Sequence, residues 1–163
     1  MNARQNSRRR FLQISAATLG TRLALGQGIA RSAHAAGDDT LKIGLVGCGG
    51  RGAGAVANAL EADPNTKLTA VGDAFGDLID QRLEPLQKQY PDRVAVDADH
   101  RFAGFDAYEK VIASGVDVVI LATPPHFRPL HLKACVDAGK HVFVEKPVAV
   151  DAPGIRSVLE STK

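Results

Sequence analysis

Gly47, Gly49 and Gly52 stand in a Gly-x-Gly-x-x-Gly spacing directly after an apolar run containing Leu41, Ile43, Leu45 and Val46. A short run of that kind is the form of a strand buried on both faces of a parallel sheet. In such a turn the first glycine permits a tight reversal, the second lets the main chain approach a pyrophosphate, and the third lets the following helix pack on the strand. The helix start offers free N–H groups and the positive end of its dipole to an anion. Gly47, Cys48, Gly49, Gly50, Arg51 and Gly52 are therefore the candidate phosphate loop. Asp73 lies 21 residues beyond Gly52, at the end of the next strand pattern. A carboxylate there accepts hydrogen bonds from both hydroxyls of an adenosine ribose and repels a 2'-phosphate, which favours NAD over NADP. Turn and acid alone would equally suit a methyltransferase that binds adenosylmethionine.

Two further clusters follow later strand patterns, on the carboxyl edge of the sheet where ligands of such folds bind. They are Thr123-Pro124-Pro125-His126, after Val116–Leu121, and Glu145-Lys146-Pro147, after His141–Val144. With these the chain resembles the Gfo/Idh/MocA family, named for glucose-fructose oxidoreductase, inositol dehydrogenase and a rhizopine-catabolism protein. The resemblance runs from about Leu41 to Lys163 and rests on Gly-Cys-Gly-Gly-Arg-Gly, Asp73, Ala-Thr-Pro-Pro-His and Glu-Lys-Pro in that order. It implies an oxidoreductase that moves a hydride between NAD and a sugar or polyol hydroxyl. By the same resemblance Lys146 is the catalytic lysine, which holds the reacting hydroxyl and assists its proton transfer. Glu145 then lies close to the cofactor's ribose or nicotinamide, Pro147 fixes the turn that aims Lys146, and Thr123, Pro124 and His126 lie against the nicotinamide half. His131 falls in a helix pattern and reads as a packing histidine, and His100 as a surface one. Two alternatives stay open: relatives that use NAD as a transient oxidant to cleave glycosides, and a non-catalytic NAD-binding fragment.

These residues need elements to position them. Ala53, Val56, Ala57 and Leu60 recur at helical spacing after the glycine turn, and Asp63-Pro64-Asn65 ends that helix. A second strand is expected over Lys67–Asp73, and a helix from Asp77 to about Tyr90 with Ile79, Leu83, Leu86 and Tyr90 on one face. Pro85 is expected to kink or split it. A short third strand is expected at Val94–Val96, then a loop from Asp97 to Phe105 and a helix capped by Asp106 and running through Ser114. The fourth strand is Val116–Leu121, followed by a helix from about Arg128 to Ala138 that Gly139 stops. His141–Val144 is a fifth strand, and Asp151 opens a last helix with Ile155, Val158 and Leu159 at helical spacing. Strands alternating with helices at these lengths predict an α/β domain with a doubly wound parallel sheet, the Rossmann fold, over residues 41–163.

Charge separates that body from what precedes it. Six arginines lie before position 36 and no acid does; removing them from the 20 basic residues leaves 14 against 18 acids. Nothing in the body therefore calls for nucleic acid or an anionic membrane. Residues 1–35 carry Ser7-Arg-Arg-Arg-Phe-Leu-Gln13, a mildly apolar stretch and Ala33-His-Ala35, which resembles a twin-arginine export signal cleaved after Ala35. A disordered or helical leader, export to the periplasm and a polar linker over 36–40 are the expectations there. The apolar stretch is far short of the about 20 residues of a membrane span. Cys48 and Cys135, the two cysteines, show no metal-ligand spacing and read as small buried side chains. The family's second, α+β domain, which engages the substrate, is expected to be missing from these 163 residues, and a homo-oligomer is expected where that domain is present.

Overall fold

The computed structural model describes residues 40–163, so the expectations for the leader and for most of the linker lie outside the described residues. Five strands form one parallel sheet: β1 (Leu41–Val46), β2 (Thr66–Asp73), β3 (Arg101–Ala103), β4 (Val118–Leu121) and β5 (His141–Val144), in the order β3-β2-β1-β4-β5. Five helices connect and cover them: α1 (Gly50–Ala62), α2 (Gly76–Gln89), α3 (Ala107–Ala113), α4 (Arg128–Asp137) and α5 (Ala152–Ser161). This is the doubly wound sheet the alternation predicts. Chain order reverses between β1 and β4, and that switch point opens a crevice at the carboxyl ends of the strands.

Apolar spacing decides which face each helix buries. Val56 and Leu60 of α1, with Ile79, Leu83 and Leu86 of α2, close over Ile43, Leu45, Leu68 and Val71 on one face of the sheet. Val111 of α3 and Leu132 and Cys135 of α4 close over Val46, Ala70, Val119 and Leu121 on the other. Each fully buried Leu or Val contributes about 1.5–3 kcal/mol relative to exposure, so the two layers hold the strand ends as a rigid platform. Gly139 ends α4 with φ +67°, and Asp151 caps α5 by accepting the N–H of Gly154 at 2.7 Å, both as expected. The apolar stripe of α5 is only partly covered: Val158 packs inward, while Ile155 and Leu159 remain exposed.

Three local expectations are corrected. The third strand is Arg101–Ala103, inside the segment expected to be a loop, and pairs with Val71–Asp73; Val94 forms only an isolated bridge to Leu68. Val94 and Val96 are apolar because they plug the core beside Leu83 and Leu86, whereas β3 is a half-buried edge strand with no apolar run to announce it. Pro85 does not split α2, which runs unbroken through it. Pro85 is exposed, as is Gln81 four residues before it, so the carbonyl that loses its partner can be hydrated. Asp106 does precede α3, but its side chain makes no capping bond and pairs with Lys110 at 2.9 Å instead.

Candidate cofactor site

The glycine turn leaves β1 at its carboxyl end. Gly47 has φ +95°, and a Cβ there would lie 2.6 Å from the Thr123 amide nitrogen, so turn and close approach to the next loop both require glycine. A Cβ on Gly52 would lie 2.0 Å from the Gly47 carbonyl oxygen, so helix and turn pack too closely for any side chain. Gly49 differs, because a Cβ there would meet nothing within 4 Å. Its bare main chain faces open space at the start of α1, whose first turn holds no acidic residue. Two positions thus need glycine for packing, while the third leaves room for a ligand to approach the backbone, which fits the dinucleotide reading of the turn.

Asp73 ends β2 beside that turn. Its Oδ2 accepts the Cys48 N–H at 2.7 Å and its Oδ1 accepts the Phe75 N–H at 3.1 Å. These bonds tie the carboxylate to the turn and leave each oxygen lone-pair capacity for a further donor. Cys48 is sealed behind it, with burial pushing its thiol up to about 12, as burial does for Cys135 in α4. Both cysteines behave as the small buried side chains the sequence suggests.

A cavity of about 530 Å³ opens between these loops. Gly47, Gly49, Asp73, Thr123 and Pro124 line it, together with Phe75, Leu78, Phe105, Tyr108, Phe127, Arg128 and His131. Among these the turn contributes main chain, Asp73 a carboxylate, and the rest of the wall is largely aromatic and aliphatic. That mixture suits a ligand with a flat apolar base and a polyhydroxylated linker.

Cys48, Gly50, Arg51, Gly52, His126, Glu145 and Lys146 do not line this cavity. Arg51 and Glu145 meet nonetheless: the Arg51 guanidinium, on the first turn of α1, lies 2.7 Å from Glu145 Oε1 at the end of β5. Glu145 is buried, and the guanidinium beside it holds its carboxyl below the usual carboxylate range. That oxygen is buried and receives no hydrogen bond of good geometry. Lys146 follows it on the exposed surface, at a cis Lys146–Pro147 peptide bond. His126 is exposed and lies edge-on to Phe127, with ring centres 5.4 Å apart.

His131 packs as expected, yet also reaches the cavity. It is buried, stacks on Tyr108 at 4.3 Å and shares a 3.2 Å hydrogen bond between Nδ1 and Thr123 Oγ1. Desolvation lowers its pKa to about 4, so the ring is neutral at physiological pH. Arg128 was not singled out from sequence. It is 6% exposed and directs its guanidinium at main-chain carbonyls of two loops. A signal did exist: Arg128 opens α4, where the positive end of the helix dipole disfavours a cation, and such local violations gather at functional sites.

Among the described residues no group of three or more His, Cys, Asp or Glu side chains is placed to hold a metal ion, and no helix is long and apolar enough to cross a membrane.

Residues 41–163 match a family described as GFO/IDH/MocA, an oxidoreductase family with an NAD-binding Rossmann fold. A glycosyl hydrolase family 109 protein of Solibacter usitatus is 32% identical over 154 residues, 89% of this chain and 34% of its own length. Inositol 2-dehydrogenase 1 of Saccharopolyspora erythraea is 33% identical over 114 residues, 69% of this chain and 30% of its own. The solved structure of scyllo-inositol dehydrogenase from Lactobacillus casei, with bound cofactor NAD(H) and scyllo-inositol, superposes with a TM-score of 0.60 at 25% identity, covering 75% of this chain and 32% of that one. The chain thus spans about a third of the length of these relatives.

Proposed function

The chain belongs to the Gfo/Idh/MocA family as its NAD-binding Rossmann domain, and from that premise we propose that it holds the cofactor of an enzyme that moves a hydride between NAD and a sugar or polyol hydroxyl. One observation carries the proposal: the bare Gly49 main chain, the Asp73 carboxylate and the Thr123–Pro124 loop face a single cavity at the sheet's switch point. In this reading Gly47 to Gly52 and the free N–H groups of α1 receive the pyrophosphate. Asp73 accepts the adenosine ribose hydroxyls, and the apolar wall formed by Phe75, Leu78 and Phe105 takes the base. No lysine or arginine stands among Ala74, Phe75 and Gly76 to meet a 2'-phosphate, which supports NAD over NADP.

Thr123, Pro124 and His126 flank the nicotinamide half, and Glu145 lies close to its ribose or nicotinamide. The bound nicotinamide supplies the hydride chemistry. Lys146 holds the reacting hydroxyl and carries its proton, a role its exposed side chain leaves sterically open. Turnover further requires groups that position the substrate carbon, so the proposed activity is that of a whole enzyme with this domain as its cofactor-binding part.

Calorimetry on the folded protein tests the reading. NAD(H) is expected to bind, and Asp73→Ala to weaken it roughly tenfold to a hundredfold, the scale of lost hydrogen bonds to a charged group. Absence of binding by NAD(H) and NADP(H) sinks the cofactor reading; unchanged affinity in the variant removes the ribose role. The similarity to the Solibacter usitatus protein supports a second reaction on the same cofactor, glycoside cleavage with NAD as a transient oxidant. Product analysis with the whole enzyme separates the two, since only dehydrogenation accumulates NADH. Twin-arginine export of residues 1–35 completes the proposal; it rests on Arg8, Arg9 and Arg10 before Phe11-Leu12 and on Ala33-His-Ala35. A folded reporter fused to those residues should reach the periplasm, and its retention in the cytoplasm would refute export.

A further inference from the structure

The cofactor reading leaves one buried charge without a task. The Arg128 guanidinium hydrogen-bonds to main-chain carbonyls while the Glu145 carboxylate lies close enough to favour its charge: Nε donates to the Thr123 carbonyl at 2.6 Å, and Nη1 donates to the carbonyls of Glu145 at 2.5 Å and Pro147 at 2.6 Å. Burying a cation is costly even with a carboxylate nearby, and an apolar side chain could fill the same volume at lower cost. What the guanidinium does that no apolar group can is bridge main chain. Its fork carries five donors in fixed geometry and reaches the end of β4 and the turn after β5 at once. A lysine presents a single ammonium and a glutamine a single amide, so neither reproduces the span.

The bridged atoms matter more than their number. Lys146 sits between Glu145 and Pro147, and the carbonyls on both sides of it are the ones Arg128 holds. Thr123, at the other end of the bridge, is fixed a second time through its side chain on His131. The adenosine side has no such tie: Asp73 is bonded to Cys48 and Phe75 of its own and the adjoining loop.

We propose that Arg128 is a positioning residue that clamps the Lys146–Pro147 turn to the Thr123 loop and so sets the nicotinamide end of the cleft, independently of the adenosine end. The inference rests on the cofactor reading given above. It predicts a split that a general structural role would not produce, because loss of the clamp spares ligands that stop short of the nicotinamide.

The test compares NADH with ADP-ribose, which lacks the nicotinamide, on the full chain and its Arg128→Gln and Arg128→Lys variants. Wild-type protein should bind NADH more tightly than ADP-ribose and alter the nicotinamide fluorescence. In both variants ADP-ribose affinity should stay within about twofold while NADH affinity falls by about tenfold, the scale of a lost charged hydrogen bond, and the fluorescence change shrinks. Equal loss for both ligands, unchanged NADH binding, or no wild-type preference for NADH overturns the clamp. Unfolding of both variants, read by circular dichroism, also overturns it by showing that Arg128 supports the fold and not the site. Wild-type protein that binds neither ligand overturns the cofactor reading itself and the clamp with it.

Discussion

On the β1–β2 side of the cleft the turn is shaped by main-chain sterics, since Gly47 turns at positive φ and Gly52 admits no Cβ against the Gly47 carbonyl, with the Asp73 carboxylate held beside it by two backbone N–H groups. On the β4–β5 side it is made by buried polar side chains: Arg128 spans three carbonyls, Glu145 faces Arg51, and His131 sits between Thr123 and Tyr108. The contrast separates two ways of fixing a loop. Steric exclusion needs glycine and does not respond to pH. Buried charge and hydrogen bonding tolerate several shapes but depend on protonation and on every partner being present.

The sharpest way to break that contrast lies within the glycine turn. Gly52→Val should cost more than about 3 kcal/mol, among the largest effects single substitutions show, because the 2.0 Å clash is with backbone and cannot be relieved by a rotamer. Gly49→Ala should leave stability within about 0.5 kcal/mol yet weaken NAD binding, since a Cβ there meets only open space. Urea unfolding with parallel NAD titration distinguishes the two positions. Equal destabilisation would mean that Gly49 serves packing and not approach to a ligand.

A pH series addresses the polar side. His131 is lowered from 6.5 to about 4 by desolvation. The unfolded chain therefore takes up this proton as pH falls through 6.5, while the folded chain resists until about 4. Its contribution is fully present above 6.5 and declines by roughly 3 kcal/mol toward pH 4. His131→Phe should flatten that part of the curve in urea unfolding, and a wild-type slope kept by the variant would assign it elsewhere.

Arg51→Ala should give the smallest effect, because the arginine side chain is 69% exposed and its pairing is screened by water. Glu145 has a lowered folded pKa, so its stabilisation is present above the ordinary value of 4.5 and lost as pH falls through the lower folded value. The wild-type excess over the variant should vanish at acid pH. A difference that persists there would come from packing of the arginine stem and not from charge.

The same contrast governs what could be read without a structure. A steric requirement leaves a residue-type signature at Gly47 and Gly52, and with Gly49 between them and Asp73 at the right interval these residues announce the turn and the acid beside it. Apolar runs likewise announce β1, β2 and β4, because strands covered on both faces leave little room for polar residues, and β5 is announced by Val142, Phe143 and Val144 although it is a half-exposed edge strand. The edge strand β3 escaped because its one covered face sets no apolar run, and Val94–Val96 drew the assignment because core plugs and buried strands share a composition. Whether Pro85 splits α2 depends on whether the freed carbonyl meets water, which only the exposure of that helix face decides.

Glu145-Lys146-Pro147 and Thr123-Pro124-Pro125-His126 were legible as motifs but not as a connected structure. Nothing in their spacing says that an arginine at the start of α4 joins them, since its three acceptors are main-chain carbonyls and leave no trace in residue types. By itself the sequence determined the alternating strands and helices, the glycine turn and the acid beside it, because backbone sterics and burial restrict which residues can stand there. Only the tertiary structure decided that Arg128 and Glu145 are buried, that His131 is neutral, and that one guanidinium hydrogen-bonds to both the Thr123 loop and the Glu145–Pro147 turn. Those properties arise from groups distant in the chain being brought into one desolvated place.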